Sequence, residues 1–355
     1  MGAILLNIVV TFAVQSPQPD TSLSTSNTPG VAFERLSDLL QYNRVQGLSV
    51  GLGYRLPMPG VPAITFYTTA RYGLSDERVT GRLTAVRSAP SSRLTLSGYH
   101  DIADLDPFSP GRTVANSLNG LFVGHDNGDY ALSSGAALRF ERSLRSGITL
   151  VLSGQVERLS TVTRVARSAV NDFLGGTGLF PPNPPVEEGT FARPSAQMRN
   201  TTGRTRWTVT ADALAGGGQT TGRLFGDVGR ALGTGFGLTI RAKAGVATQP
   251  ASPQSQFRLG GLNTVRGFEY GTSRAPAFWA AQLDITPFGG RVRPVFFVDA
   301  GQAATVSGLL SSTALVGAGV GLSLFSGLMR FDLSRPLSPD HGGKVRLDLV
   351  IRGAR

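Results

Sequence analysis

Several groups of residues in this chain have the types and spacing that chemistry needs. Gly47, Leu48, Ser49, Val50 and Gly51 spell G-x-S-x-G, the motif that presents a serine nucleophile for acyl transfer in lipases and esterases. That chemistry requires a sharp strand-to-helix turn, whereas here the alternation of large apolar with small or polar residues runs on through Tyr54. Ser49 therefore reads as a small residue on one face of a strand. His100, His125 and His341 show no metal-ligand spacing to one another, so no metal site is expected. Gly317 to Gly321 lacks the following helix and the acidic residue that a nucleotide loop demands. Arg266, in the stretch QFRLGGLNTVRGFEYG, is followed by Asp284 and Asp299, both on the inward face of their strands by the alternation count. A guanidinium and two carboxylates gathered away from water make a charge-assisted cluster, a device for holding a loop in place.

The elements that position these residues follow from a period of two. Leu48, Val50, Leu52 and Tyr54 share one face, opposite Gly47, Ser49, Gly51, Gly53 and Arg55. Phe236, Leu238, Ile240, Ala242, Ala244 and Val246 oppose Arg241 and Lys243 in the same way. Near the end, Val345, Leu347, Leu349 and Ile351 oppose Arg346, Asp348 and Arg352. Such segments run for about 10 to 13 residues, whereas soluble strands average about 5 to 6 and a tilted membrane strand needs about 9 to 11. A charge facing lipid at the midplane costs about 2–4 kcal/mol, so the charged face must line a lumen. An open edge in hydrocarbon would strand backbone groups, so the sheet must close. Fourteen segments qualify, from 46–56 through 343–353, and the long connections 103–127 and 161–202 each have room for one weak strand more. The second is mostly loop, because Pro181, Pro182, Pro184 and Pro185 cannot donate to a ladder.

Composition agrees. The 355 residues include 46 glycines and no cysteine, and only 16% are charged. Absence of cysteine suits a protein that crosses an oxidising compartment. The formal charge of +11 is carried by scattered arginines and just two lysines, Lys243 and Lys344, with no basic helix, so nucleic-acid binding is not expected. The apolar run Ala3 to Val14 is too short for a transmembrane helix of about 20 residues and fits the core of a signal peptide. The expected organisation is a signal-like 1–15, a flexible leader with a short helical turn over 16–45, and a barrel over 46–353.

The loop sequence also resembles a known signature. Val265, Arg266, Gly267 and Phe268, preceded by Phe257, Leu259, Gly260 and Gly261, resemble loop six of the BamA/TamA-type superfamily of outer-membrane assembly and two-partner secretion barrels (bacterial surface antigen barrel domain). PVFFVDAG resembles that family's F-x-D-x-G strand through Phe297, Asp299 and Gly301, and FWAAQLDITPF places Asp284 where the family has an inward acidic residue. GLMRFDLSRPL, with Asp332, resembles the penultimate strand, and Gln41 to Tyr54 the first. The resemblance covers nearly all of 40–353.

It implies an all-β, transmembrane antiparallel β-barrel of sixteen strands, fourteen being the alternative, with loop six folded into the lumen and held by Arg266 on Asp284 and Asp299. It implies a bacterial outer-membrane protein with no enzyme activity and no cofactor, which inserts or translocates unfolded outer-membrane protein or lipoprotein clients. Clients would enter at a lateral seam between a first strand softened by Gly47, Gly51 and Gly53 and a last strand at Leu347 and Leu349. Partners are then outer-membrane lipids, the client, and a separate periplasmic protein, since about 45 residues before the barrel are too few for the family's POTRA module. The chain also ends on Ile351 to Arg355, where the family usually ends on an aromatic residue. A passive pore is the second reading, and a lipolytic enzyme resting on Ser49 the last.

Overall fold

The computed structural model describes residues 28–33, 36–58, 64–144, 147–233, 236–309, 311–338 and 344–351. The signal-like run, the leader up to residue 27, His341 and Arg352 to Arg355 lie outside the described residues.

Wherever the alternation is sustained, the chain forms a long strand: β3 (Gly47–Pro57), β4 (Ile64–Gly73), β5 (Val79–Ala89), β6 (Ser92–Asp104), β7 (Tyr130–Ser143) and β8 (Ile148–Thr161). The series continues through β9 (Gly189–Asn200), β10 (Thr205–Gly216), β11 (Gln219–Leu232) and β12 (Gly237–Ala247). After loop six come β15 (Ala277–Thr286), β16 (Arg293–Ala304), β17 (Leu315–Leu324), β18 (Met329–Pro336) and β19 (Arg346–Ile351). Each pairs antiparallel with its sequence neighbour, β12 with β15 across loop six. The two faces separate as the alternation requires: Leu52 is 62% exposed on the lipid side, while Ser49 is fully buried on the lumen side.

Connections differ sharply between the two ends. At one end they are short turns, such as 90–91, 201–204 and 287–292; at the other lie the long segments 105–129, 162–188 and 248–276. Short turns face the periplasm in outer-membrane barrels and long loops face outward, which orients the chain. No helix among the described residues is long and apolar enough to cross a membrane, and the strands do the crossing.

The structure departs from the sequence expectation in three places. Connection 161–202 contains a full strand, β9, which was hidden because Pro194 interrupts it. Its register with β10 skips Arg193 and Pro194, as a residue without an N–H must. Connection 103–127 contains no strand; it forms helix α2 (Val114–Leu118) and a π-helical turn (Asn119–Val123), with Thr113 capping α2 through the Asn116 N–H at 3.1 Å. The third departure is at the start. Residues expected as leader climb alongside β3 as β1 (Gly30–Val31), helical turn α1 (Leu36–Leu39) and β2 (Leu40–Asn43). β1 pairs with Tyr54 and Arg55, and β2 with Gly47 to Val50, so this interrupted segment precedes β3 in the ladder. Among the described residues, eleven strands from β2 to β12 precede loop six and five follow, sixteen in all, with β1 an extra short piece in a 17-stranded sheet.

The face assignment predicts the response to a misplaced charge. Leu83, 58% exposed near the middle of β5, faces lipid. Leu83→Arg should destabilise the barrel by about 2–4 kcal/mol in denaturant unfolding from phospholipid vesicles. A change below about 0.5 kcal/mol would place that face in water.

Candidate functional site

Loop six enters the lumen as a small hairpin, β13 (Phe257–Leu259) paired with β14 (Ser273–Ala275). Phe257, Leu259, Val265 and Phe268 are buried in one apolar cluster with Phe108, Phe278 and Leu315. The rings of Phe257 and Phe278 stack with centroids 5.0 Å apart. Gly260 and Gly261 have φ of +109° and +86°, a left-handed region that suits glycine, and they turn the chain back toward the wall.

Arg266 sits at the tip of this fold, 2% exposed. Asp299 grips it three times: Oδ2 accepts from the Arg266 backbone N–H at 2.9 Å and from Nε at 2.6 Å, and Oδ1 accepts from Nη2 at 2.6 Å. Nη2 also reaches Asp284 at 2.7 Å, and Nη1 reaches Asp332 at 3.5 Å. The guanidinium carbon lies 3.8 Å from the ring centre of Phe297, whose face supplies a further attraction. Arg330 and Arg241 each donate to Asp284 at 3.0 Å, and Arg330 to Asp332 at 2.6 Å, so three arginines balance three aspartates from β15, β16 and β18. Burial alone would favour a neutral guanidine at Arg266; Asp299, then Asp284 and Asp332, outweigh it and hold the group above its ordinary range.

The wall is cut to fit. A Cβ at Gly317 would collide with the Arg266 carbonyl, and one at Gly301 would come within 2.8 Å of Leu259 Cδ1. Gly267, φ +94°, lies against β18, where a side chain would meet the Arg335 backbone at 2.7 Å. The sequence marked Arg266, Val265, Gly267, Phe268, Gly260, Gly261, Phe297, Gly301 and the aspartates individually, and the structure gathers them at one place. Arg241 was placed on the inward face but not joined to this cluster, and Arg330 went unnoticed, since an inward arginine on a strand carries no motif.

Loop six is in turn bolted to the 105–129 segment. Arg258 Nε donates to Asp129 at 3.0 Å, the Tyr270 hydroxyl to Asp106 at 2.9 Å, and Asn263 to the Phe108 carbonyl at 2.7 Å. That segment then holds the start of the barrel: Asp126 accepts from the Arg44 N–H at 2.7 Å and from Nε at 3.3 Å.

The three glycines expected on the first strand lie on β3, one strand in. Gly51 and Gly53 lie on the second strand of the ladder, and their missing side chains make room for the N-terminal segment: a Cβ would strike the Asp38 carbonyl at Gly51 and the Ala32 carbonyl at Gly53. Gly47, φ +63°, forms the β2–β3 turn. The sequence offered no apolar stripe for the true first strand, because Gln41 and Asn43 are buried polar residues. Leu347 and Leu349 do lie on the last strand. Ser49 sits within β3, its hydroxyl near the Gln41 carbonyl at 3.5 Å, so there is no nucleophile elbow. His100 and His125 pair with Ser134 and Asp348, and among the described residues no cluster is suited to a metal ion.

Comparison with known proteins now bears on this geometry. Residues 20–215 match the family described as the C-terminal domain of a family of unknown function, DUF5686, and residues 199–346 match the Omp85 superfamily domain. The chain belongs to the DUF5686 C-terminal domain family, and its later part carries an Omp85 superfamily domain. Its fold is similar to that of BamA from Haemophilus ducreyi lacking POTRA domains 1–3, with a TM-score of 0.60 and 11% identity over 92% of this chain and 70% of that one. It is also similar to CdiB from Acinetobacter baumannii, with a TM-score of 0.50 and 13% identity, covering 87% of this chain and 57% of CdiB. No curated protein matches the chain in sequence. This barrel is a bacterial outer-membrane protein, and β2 to β12 with β15 to β19 supply its membrane wall.

Removing the arginine should free the loop. Arg266→Ala leaves three buried carboxylates with two guanidiniums and should destabilise loop six by about 3–5 kcal/mol, read as protease cleavage between Phe257 and Ala275 at graded denaturant. Gly317→Val should expose the same bonds by displacing the Arg266 carbonyl without touching a charge. Undiminished protection in both variants would show that the cluster does not hold the loop.

Proposed function

We propose that this Omp85 barrel inserts or translocates polypeptide clients at the outer membrane through a lateral seam between its first and last strands. The observation that carries this is the weakness of those two strands. The first is a pair of short pieces broken by a helical turn, and the last contributes six of the described residues, whereas interior strands run to 14. A short ladder is the place where a sheet can part and accept another strand by edge addition. Membership of a superfamily of protein insertion and translocation supports the reading. Clients would be unfolded outer-membrane proteins or lipoproteins, and a separate periplasmic protein would deliver them.

The passive-pore reading has less behind it. Loop six, 105–129 and 162–188 fill the outward end of the lumen, with Arg44 joining Asp126 to the carbonyls of Pro181 and Pro182. Below them lies a polar cavity of about 250 Å³, lined among others by Arg139, Arg193, Asp212 and Arg223.

Because the chain has no cysteine, two introduced thiols are unique. A bifunctional thiol reagent joining Leu40→Cys to Leu347→Cys should reduce client insertion in proteoliposomes at least tenfold while the barrel stays folded. Full insertion by the verified cross-linked form would exclude the seam, and conductance unaffected by the link together with absent insertion would favour the pore.

A further inference from the structure

Both facing edges of the seam already hold a partner from the same short helical insertion. On the first strand, the Tyr42 N–H donates to Ser117 Oγ at 3.1 Å. On the last strand, the Asn119 side chain takes both polar groups of Leu349: Nδ2 donates to the carbonyl at 2.7 Å and Oδ1 accepts the N–H at 2.7 Å. In an antiparallel strand a residue's N–H and C=O point to the same side, so Leu349 faces away from β18 when both are given to Asn119. The side-chain amide thus reproduces the donor–acceptor pair of a neighbouring strand. Supporting contacts come from the same segment: Gln41 Nε2 donates to the Gly111 carbonyl at 3.2 Å, and His125 meets Asp348 at 3.1 Å. Asn119 is itself fully buried and opens the π-helical turn, a rare backbone form concentrated at functional sites.

We infer that α2 and its π-helical turn are a wedge that occupies the strand-addition site, and that the partner which displaces it is an extended polypeptide strand of alternating apolar and polar residues. An incoming strand offers a ladder of backbone N–H and C=O groups to β19, where the wedge offers one amide. Alternation is required of the partner because β19 presents Leu347 to lipid and Asp348 to the lumen. Ser117 and Asn119 hold the edges with a few neutral hydrogen bonds, strong enough to keep them from other strands and weak enough to yield. This inference rests on the seam being the site of client entry.

The test places a photo-crosslinking residue at Leu347 and offers a synthetic peptide of about ten residues, the length of a membrane strand, in alternating pattern or scrambled. Asn119→Ala should raise capture of the alternating peptide by roughly tenfold over the parent barrel, the loss of one to two hydrogen bonds to backbone. Folding is checked by heat-modifiable migration; if Asn119→Ala does not fold, Ser117→Ala, with the photo-crosslinking residue moved to Leu40 on the first strand whose edge it frees, should raise capture roughly threefold. Equal capture by parent and variant would overturn the wedge, and equal capture of the scrambled peptide would overturn the partner assignment. If capture rises as expected while client insertion in proteoliposomes is absent, the wedge stands and the assembly reading falls.

Discussion

Arg266 carries a charge into a buried site, and the outward half of the barrel is arranged around that fact. A lone buried guanidinium would be prohibitive, and three buried aspartates equally so. Each is tolerated because the other is there, and Arg241 and Arg330 bring the cluster to balance. The interaction is directional as well as strong: Asp299 holds the Arg266 side chain and its backbone N–H together, so the loop is fixed in position and in orientation. Glycines at 301 and 317 then become necessary, since any side chain there would push the loop off the wall.

From this anchor the order spreads outward in steps. Loop six presents Arg258 and Tyr270 to Asp129 and Asp106, and the 105–129 segment so fixed presents Asp126 to Arg44 and Asn119 to Leu349. Each step is a buried, charge-assisted or amide contact between segments that have little regular structure of their own. A seam bridged by side chains can be released by moving one segment. A seam closed by a full ladder would need many backbone bonds broken together.

What could be read from the sequence follows from how each part is stabilised. Strands with one face in lipid must alternate, so β3 to β8, β10 to β12 and β15 to β19 were legible, and the inward position of Asp284 and Asp299 came from the same count. β9 was obscured by Pro194, and the first strand by its buried Gln41 and Asn43, which leave no apolar stripe. The 105–129 segment is held by side-chain amides and carboxylates such as Asn116, Asn119 and Asp126, whose partners are distant in sequence and have no period. Asp332 was noted only as part of a motif, and its place beside Arg266 required the register of β17 and β18.

The central claim is that the Arg266 cluster governs the seam through the 105–129 segment. Amide hydrogen exchange on residues 114–123, compared between the parent barrel and Asp299→Asn in lipid vesicles, tests it most directly. The account predicts that the variant accelerates exchange in loop six and in residues 114–123 together, with the rest of the 105–129 segment following. Acceleration confined to residues 257–275, with 114–123 as protected as before, would contradict it.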